Sequence, residues 1–457
     1  MHIELPGNAE RIIGIIKEHG HQAFVVGGCV RDSFLMRPVN DWDICTSAGP
    51  DNVTEILEGC GIRVVPTGIK HGTVTAVFCG ESYEVTTFRA DGEYRDSRHP
   101  ENVVFIDDVK EDLARRDFTI NAMAYDHEFG LIDPFGGIDD LKNGIIRCVG
   151  DPDKRFNEDA LRILRCVRFA SQLAGYGFGI EERTAHAVLE NRHLLDKIAA
   201  ERIREEFDKL MCGEGAYTVL RDNREIIAQF IPEIRPMFDL DQENPFHFYD
   251  VWMHSLNAVN NIAAHDPDEL LVLKLAAFFH DIGKPACKIV TDGWGHFYGH
   301  EKKSALITDE VMRRLKYDNE TRNAVVLLIS KHGIVFNPDG KQAGRLLNRL
   351  GEKDLRRLIS LERADVGAQH PDYVDERLDN IGSFERKVDE LIADNKVFSM
   401  KDMEINGRDL MKLGLAEGKQ IGEVKKKLLE KIIDGEIDND KNELIRAAKL
   451  IITRGNS

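Results

Sequence analysis

The spacing of hydrophobic positions predicts a helix and then a series of short strands at the start of the chain. Four isoleucines recur at helical intervals within residues 8–20, and the apolar run AFVVGG that follows ends in a glycine turn. Further strand-like runs are DWDIC, TVTAVF, SYEVTTF and ENVVFI. We therefore expect residues 1–150 to form a mixed α/β domain around a sheet.

From about residue 151 onward, the pattern becomes helical and contains few strand signals. The segments EDALRILRCVRFASQLA, ERIREEFDKLM and LLVLKLAAFFHD all have helical periodicity. Soft boundaries near residues 150, 240 and 395 divide the chain into 1–150, 151–240, 241–395 and 396–457. The predicted fold class is a multidomain α+β protein, in which an α/β head with a mixed sheet precedes three helical domains.

Composition and charge narrow the class of protein. Hydrophobic residues make up 42% of the 457 residues and charged residues 31%, and the net charge of −18 argues against a protein that coats nucleic acid by bulk charge. The eight cysteines include no C-x-x-C pair. The most apolar stretch, residues 270–279, is shorter than the roughly 20 residues that a membrane span needs. We expect a reduced, cytoplasmic protein without a membrane partner.

Candidate nucleotide chemistry begins in the segment VGGCVRDSFLMRPVNDWD. Glycines such as Gly28 allow backbone N–H groups to approach a polyphosphate at a helix start, and Arg31 adds a fixed positive charge. In a strand, Asp41 and Asp43 point to the same face, and Trp42 points to the other. Two carboxylates this close repel each other unless a divalent metal ion compensates them, so the pair predicts a metal site. An exposed turn with two spare aspartates is the alternative.

Two more segments add charged side chains to this region. Glu84, in the run SYEVTTF, either supplies a third carboxylate or faces solvent. In LARRDFTINAMAYD, Arg116 either clamps a triphosphate or belongs to a solvated helix cap. The residues alone leave both alternatives open.

The segment RFNEDALRILRCVRF places charged residues at every third position, from Asp159 through Arg162 to Arg165 and Arg168. On one helix, Asp159 and Arg162 are neighbours. Such a pair can accept a hydrogen bond from the amino group of cytosine or adenine and donate one to the adjacent ring acceptor, whereas uracil and guanine present the wrong polarity. An intrahelical ion pair of little energetic value is the alternative.

In this order, GGCVRD, DWD, RRDFTINAMAYD, EDALRILRCVRF and ERIREE resemble the motifs of class II tRNA nucleotidyltransferases, which include the CCA-adding enzymes and bacterial poly(A) polymerases. The resemblance covers roughly the first 210 residues. It implies a nucleotidyltransferase head that holds two Mg²⁺ ions, a neck that reads the incoming base, and a helical body and tail. The corresponding expected domains are a head at 1–150, a neck at 151–240, a body at 241–395 and a tRNA-contacting tail at 396–457.

The resemblance also implies roles for individual residues. Asp41 and Asp43 are the implied catalytic ligands of Mg²⁺. The residues implied to bind the nucleotide are Gly28, Arg31 and Arg116 at the triphosphate, Asp159 and Arg162 at the base, and Arg165 and Arg168 in support. Family members also have a flexible loop with a basic-x-acidic motif, which Arg89 and Asp91 in TTFRADGEYRDSRHP fit. This loop favours complete CCA addition over addition of the two cytidines alone.

The middle of the chain carries a second pattern of candidate metal ligands. His280 and Asp281 end the apolar run LLVLKLAAFFHD, and burying such a pair is costly unless something such as a metal ion compensates it. The full set, whose spacing resembles that of HD-domain metal-dependent phosphohydrolases, is His254, His280, Asp281, His300, His332 and Asp365. An inactive fold with hydrogen-bonded core histidines is the alternative.

These expectations lead to one predicted function and several rivals. The predicted function is template-independent addition and repair of the 3′-terminal CCA of tRNA from CTP and ATP, with release of pyrophosphate. The expected cofactors are two Mg²⁺ ions at the head and a further divalent metal ion at the HD site; the expected partners are tRNA, ATP and CTP, and no protein partner is implied. The rivals are a poly(A) polymerase, an A-adding nucleotidyltransferase, an HD phosphohydrolase with a nucleotide-sensing head, and a catalytically silent RNA-binding protein.

Overall fold

The computed structural model describes residues 2–91, 103–264, 266–337, 340–394, 400–416 and 418–455. The chain forms two compact units, Met1–Pro232 and Glu233–Ser457. The first unit contains a mixed sheet followed by helices, and the second unit is almost entirely helical, which confirms the predicted fold class. Within the described ranges, no helix has both the length and the apolar character needed to cross a membrane.

The first half of unit one is built around a seven-stranded sheet. Its helices and strands, in chain order, are α1 (Gly7–Glu18), β1 (Ala23–Val26), α2 (Gly28–Phe34), β2 (Ile44–Thr46), α3 (Pro50–Gly59), β3 (Arg63–Gly68), β4 (Thr73–Phe78), β5 (Glu81–Thr87), β6 (Arg89–Asp91), β7 (Val103–Phe105), α4 (Val109–Ala114), β8 (Ala124–Asp126), β9 (Gly130–Ile132), α5 (Gly137–Asn143) and β10 (Ile145–Ile146). The sheet has the order β3-β4-β5-β2-β1-β8-β9, and only its β2–β5 pair is parallel. Strands β6 and β7 form a separate antiparallel ribbon.

The sheet buries a hydrophobic cluster that includes Phe24, Val26, Phe88 and Leu113. Burial of each such side chain contributes about 1.5–3 kcal/mol. The runs TVTAVF and SYEVTTF lie in β4 and β5, as predicted. DWDIC forms a strand only from Ile44 onward, because β2 begins after the two aspartates.

The second half of unit one is helical. Its elements are α6 (Pro152–Glu158), α7 (Leu161–Gln172), β11 (Gly179–Ile180), α8 (Glu182–Glu190), α9 (Ala200–Met211), α10 (Ala216–Asp222) and α11 (Arg224–Phe230). The run EDALRILRCVRFASQLA is therefore not one helix, since the helical conformation is interrupted at Asp159. This residue ends α6 with extended backbone, and its carboxylate accepts a hydrogen bond from the backbone N–H of Leu161. Helix α7 packs against α9.

Unit two is a set of helices with one short hairpin. Its elements are α12 (Val251–Asn261), α13 (Pro267–Phe279), α14 (Lys284–Cys287), β12 (Ile289–Thr291), β13 (Trp294–His296), α15 (His300–Arg314), α16 (Asn319–Lys331), α17 (Gly340–Val366), α18 (Val374–Ala393), α19 (Gly407–Met411), α20 (Lys419–Ile433) and α21 (Lys441–Gly455). Helix α13 is buried on nearly all sides among α12, α16 and α17. Helix α17 kinks at Gly351, whose φ of 76° strains any residue with a side chain. The last three helices share a separate cluster that includes Leu410, Leu428 and Leu444.

Candidate active site and metal centre

Three carboxylates line one cavity beside the start of β2 and strands β4 and β5, which we call the acidic cavity. Its volume is about 380 Å³, and its lining residues are Asp41, Trp42, Asp43, Thr75, Ser82 and Glu84. The parallel pairing of β2 with β5 sets Ile44 opposite Val85, so the residues directly before them, Asp43 and Glu84, are neighbours. Glu84 therefore lies beside Asp43 and is also exposed to solvent, so both alternatives for this residue stay open.

The electrostatics of the acidic cavity favour a bound cation. Burial raises the pKa of Asp43, Glu84 and Asp41 add to the rise and Arg116 opposes it, and the resulting pKa is about 6. Carboxylate oxygens are the ligands that Mg²⁺ prefers, and a divalent ion would relieve the repulsion among these groups. The donor set therefore fits a magnesium site.

Two details of the predicted D-x-D geometry are wrong. Asp41 and Asp43 lie in the segment before β2, not within a strand, although the backbone carbonyl of Asp43 accepts a hydrogen bond of 3.0 Å from the N–H of Val26 in β1. Trp42, expected on the opposite face, lines the same cavity. The segment is attached to β1 through the carbonyl of Asp43 and is not a regular strand, so strict alternation of side chains does not apply.

A glycine turn before α2 brings the backbone close to the half-buried side chain of Arg116. Gly27 has a φ of 82° and precedes Gly28, the first residue of α2. A Cβ atom on Gly27 would lie 2.9 Å from Nη1 of Arg116, so a side chain there would displace this guanidinium. Nη2 of Arg116 lies 3.4 Å from the buried carboxylate of Asp112. Gly27, and not the predicted Gly28, has the backbone conformation and the close approach that require glycine.

A chain of hydrogen bonds connects Arg31 on α2 with Arg165 on α7. Nη1 of Arg31 donates to the Asn121 amide oxygen over 2.6 Å, and the Asn121 amide nitrogen donates to Asp117 over 3.0 Å. Asp117 also accepts from Nε of Arg165 over 2.8 Å. Although burial opposes its charge, Arg165 and Asn121 keep the pKa of Asp117 below its usual range. Asn121 and Asp117 were not predicted as site residues; their place in RRDFTIN, beside Arg116, was the available signal.

The Asp159–Arg162 ion pair that was the alternative to base reading is absent from the described contacts. Arg162 pairs instead with Glu158 at 3.1 Å, and its Nη2 donates to the backbone carbonyl of Arg115 over 2.7 Å. The second carboxylate oxygen of Asp159 lies 3.9 Å from Arg202. Asp159 ends α6 while Arg162 belongs to α7, so the prediction of one continuous helix through both residues was wrong.

Arg168, which was also predicted to support the nucleotide, lies in the second half of α7. Nε of Arg168 lies 2.5 Å from a carboxylate oxygen of Glu206 on α9, and Nη1 donates to Gln172 over 2.9 Å. Burial lowers the pKa of Arg168 to about 10, while Glu206 opposes the shift. Arg168 therefore remains charged at neutral pH.

The predicted flexible-loop motif lies partly outside the described residues. Arg89 and Asp91 begin and end β6, and positions 92–102 are not described. The backbone N–H of Arg89 donates to the buried Asp112 over 3.3 Å, and its guanidinium donates to the carbonyl of His71. Asp112 is thus a common anchor for β6 and for the Arg116 side chain.

The six predicted HD-type residues come together in unit two. The ligand atoms of His254, His280 and Asp281 lie within 4.8 Å of one another, and so do those of Asp281, His300 and His332. Oδ1 of Asp365 lies 2.8 Å from Nε2 of His254, which brings Asp365 into the same cluster. All six side chains except that of His300 are buried. We call this set the HD cluster.

Hydrogen bonds fix the orientation of all four imidazoles in the HD cluster. Each Nδ1 lies 2.6–3.2 Å from a backbone carbonyl oxygen, which can only accept. The Nδ1 atoms therefore carry protons, and the Nε2 atoms point inward. Nε2 of His254 lies 3.3 Å from that of His280, and Nε2 of His300 lies 3.1 Å from that of His332. Two neutral imidazoles would point lone pairs at each other across these distances, and a metal ion would accept both.

Asp281 lies at the centre of this arrangement. Its carboxylate is 3.2–3.8 Å from the Nε2 atoms of all four histidines, and Lys284 lies within ion-pair distance of one of its oxygens. Although burial opposes its charge, His280 and Lys284 keep the pKa of Asp281 well below its usual range. Both groups of ligand atoms include Asp281, and these side chains would hold divalent metal ions.

One residue beside the HD cluster was not predicted. Nζ of Lys284 lies 2.7 Å from Asp281 and donates to Gln242 over 2.7 Å, and the lysine is 5% exposed. Its position three residues after Asp281, one helical turn further on, was the available signal.

Comparisons with known protein families match four segments of the chain. These are the poly(A) polymerase head domain over residues 23–147, the RNA and SrmB binding site of polymerase A over 177–237, the HD domain over 247–366, and tRNA nucleotidyltransferase domain 2 over 377–448. The CCA-adding enzyme of Lactobacillus helveticus is 35% identical over 432 residues, which cover 94% of this chain and 93% of that protein.

Solved structures show the same fold. The Bacillus stearothermophilus CCA-adding enzyme in complex with CTP is similar with a TM-score of 0.71 at 28% identity, covering 98% of each chain. The Thermotoga maritima CCA-adding enzyme complexed with tRNA has a TM-score of 0.60 at 22% identity, covering 97% of this chain and 94% of that chain. The second likeness supports the fold alone.

Proposed function

The chain belongs to the class II CCA-adding enzymes, which are tRNA nucleotidyltransferases, and it carries an HD domain; we propose that it adds and repairs the 3′-terminal CCA of tRNA from CTP and ATP. The observation that carries the proposal is the convergence of Asp41, Asp43 and Glu84 in one cavity, within electrostatic reach of Arg116. The similar B. stearothermophilus enzyme was solved in complex with CTP, which supports CTP as a substrate.

The acidic cavity supplies the residues for a two-metal reaction. Asp41 and Asp43 would hold two Mg²⁺ ions, and Glu84 is placed to contribute a third carboxylate. When bound, the ions activate the tRNA 3′-hydroxyl and neutralise charge on the α-phosphate and the leaving pyrophosphate. Arg31 and Arg116 add fixed positive charge for the triphosphate, and Gly28 begins the adjacent helix. The rest of the catalysis is alignment and electrostatics.

Base selection is assigned to Asp159 and Arg162, with Arg165 and Arg168 in support. Three hydrogen bonds from Arg162, to Arg155, Glu158 and Arg115, fix the plane of its guanidinium. Among the described contacts, its Nε–H makes no hydrogen bond. This N–H can donate to the ring acceptor of cytosine or adenine, while Asp159 accepts from the amino group.

A nucleotide-omission assay tests this proposal. Purified protein with Mg²⁺ is given tRNA transcripts that end before CCA, after the first C, and after CC, and products are resolved at single-nucleotide length. We expect CTP to be required for the first two additions, ATP for the last, and extension to stop at CCA. Long A tails on generic RNA would support the poly(A) polymerase instead, and addition to the CC-ending transcript alone would support an A-adding enzyme.

A second activity is favoured by the HD cluster. We propose that it binds divalent metal ions and hydrolyses phosphate esters. The supporting observation is that four inward-facing Nε2 atoms surround Asp281 at 3.2–3.8 Å, in two groups whose ligand atoms lie within 4.8 Å of one another. A core of hydrogen-bonded histidines, the alternative, would not need two pairs of Nε2 atoms to face each other at 3.1–3.3 Å.

Paired variants separate the two activities. Asp281→Asn should abolish metal-dependent hydrolysis of a chromogenic phosphate ester and leave CCA addition intact. Asp43→Asn should do the reverse. If Asp43→Asn abolished hydrolysis as well, the HD cluster would not be an independent site. If neither protein nor variant hydrolysed the ester with any divalent metal ion, the inactive fold would be correct.

A further inference from the structure

One phenylalanine ring in unit one contacts three of the arginines assigned to nucleotide binding. The guanidinium carbon of Arg168 lies 4.0 Å from the centroid of the Phe169 ring. The corresponding distances are 5.0 Å for Arg31 and 5.4 Å for Arg165. All three are within the range of cation–π attraction, which is about 6 Å. Phe169 is 5% exposed, so water screens these contacts little.

The three arginines come from two different helices. Arg31 lies on α2 of the head, whereas Arg165 and Arg168 lie on α7 together with Phe169. The ring of Phe169 is held in turn by an edge-to-face contact with Phe118, at 5.8 Å and 84°. Phe169 is therefore a shared contact between the triphosphate arginine of α2 and the two supporting arginines of α7.

An aromatic ring can hold cations in place without cancelling their charge. Each of these arginines also has an acidic partner, which are Asp32 for Arg31, Asp117 for Arg165 and Glu206 for Arg168. Further carboxylates would hold the guanidinium groups more firmly but would neutralise the charge that a triphosphate needs. The negative face of a phenyl ring attracts a guanidinium with no net charge of its own.

We propose that Phe169 is a positioning residue for nucleotide binding, whose π-face fixes the mutual placement of Arg31, Arg165 and Arg168. This inference rests on the proposed function, because the roles of the arginines do. It assigns to Phe169 an electronic role besides its packing in the core, and the two roles can be separated.

The test is replacement of Phe169 by mono-, di- and trifluorinated phenylalanine, which keeps the ring's shape and weakens its negative face stepwise. The dissociation constant of CTP, measured by equilibrium dialysis, should rise with each added fluorine and reach about tenfold for the trifluorinated ring. KM for CTP and ATP should rise in parallel while kcat changes by less than about twofold, as expected for loss of ground-state binding. A flat series would overturn the proposal and leave Phe169 a packing residue.

The control is the same fluorine series at Phe156, a fully buried phenylalanine over whose ring no guanidinium lies among the described contacts. A rise at both positions would mean that fluorination disturbs the core, which would also overturn the proposal. Failure of the proposed function is distinguishable, because it would appear as wild-type protein that adds neither C nor A. The CTP dissociation constants report on Phe169 without any catalytic turnover.

Discussion

The carboxylate of Asp43 lowers the stability of the folded protein when it is ionised, which is the state that the proposed metal site needs. Asp43 has its pKa raised to about 6 by burial, with Glu84 and Asp41 adding to the shift. The folded state therefore binds its proton more tightly than the unfolded chain does. The contribution of this carboxyl to stability is full at pH values below about 4 and is lost as the pH rises through about 6. At neutral pH the ionised group is a cost that a bound cation would offset.

We predict that Asp43→Asn stabilises the protein at pH 8 when Mg²⁺ is chelated. The gain in unfolding free energy should be about 2 kcal/mol and should shrink toward zero near pH 4, since the wild-type carboxyl is then protonated. Urea unfolding at a series of pH values measures it. Asp139→Asn, which changes an exposed carboxylate on α5, should show no such gain. Equal stability of wild type and Asp43→Asn across this range would mean that the three carboxylates do not repel each other as the cavity requires.

Base selectivity belongs to the residue scale as well. We predict that Asp159→Ala or Arg162→Ala retains polymerisation but weakens the exclusion of UTP and GTP. A wrong base leaves buried donors or acceptors unpaired, which costs roughly 1–3 kcal/mol, so selectivity should fall by about one order of magnitude or more. Competition between labelled CTP and UTP on a transcript ending before CCA gives the ratio of kcat/KM values. Unchanged selectivity in both variants would remove them from base reading.

At the scale of elements, the spacing of apolar residues predicted some helices and strands correctly and failed where a side chain bonds the backbone nearby. Apolar periodicity was enough for α1 and the strands β4 and β5, because burial of one face determines these elements, whereas α13 is a nearly continuous apolar run that is buried on nearly all sides. It failed at Asp159, where the side chain bonds the backbone N–H of Leu161 and interrupts the helix. It failed likewise at Asp41 and Asp43, which precede β2. Long-range contacts, such as that between Arg162 and the carbonyl of Arg115, have no local signal.

Helix α4 anchors several parts of the nucleotide site through Asp112. This carboxylate is 1% exposed and accepts from Nε of Arg115 over 2.9 Å and from the backbone of Arg89 over 3.3 Å, besides its ion pair with Arg116. Asp112 therefore links Arg89, the first residue of β6, to Arg116, which is assigned to the triphosphate. Arg115 in turn offers its carbonyl to Arg162.

We predict that Asp112→Asn, which keeps size but removes charge, raises KM for both CTP and ATP by about tenfold or more. Loss of one partner of a buried charge pair typically costs about 3–5 kcal/mol, so the melting temperature should fall too. Glu111→Gln on the exposed face of the same helix is the matched control and should change neither quantity. A lower melting temperature with unchanged KM would show that Asp112 serves folding alone.

At the scale of the whole molecule, the two units offer metal ions different donors. The acidic cavity of the first unit presents carboxylate oxygens, which suit Mg²⁺. The HD cluster of the second unit presents four imidazole nitrogens and two carboxylates, which suit a first-row transition metal ion. One chain can therefore hold both kinds of ion, because imidazole nitrogens favour transition metal ions over Mg²⁺ and carboxylates take Mg²⁺ where it is in excess.

This difference predicts the metal content of the protein. After dialysis against dilute Ni²⁺ or Zn²⁺ with excess Mg²⁺, which fills the acidic cavity, wild-type protein should retain about two transition metal ions per chain, one at His254 and His280 and one at His300 and His332, with Asp281 shared. His300→Ala should retain about one, and Asp281→Asn should retain none. Elemental analysis by mass spectrometry gives the counts.

The same experiment separates the sites by function. Because the acidic cavity prefers Mg²⁺, removing the transition metal ions with a chelator and restoring Mg²⁺ alone should leave CCA addition unchanged and abolish phosphate ester hydrolysis. The melting temperature should fall on chelation in wild type but not in Asp281→Asn, since an ion bound only by the folded state stabilises it. If His300→Ala retained as many ions as wild type, His300 and His332 would not form a second metal position, and their Nε2 contact would require a proton between them.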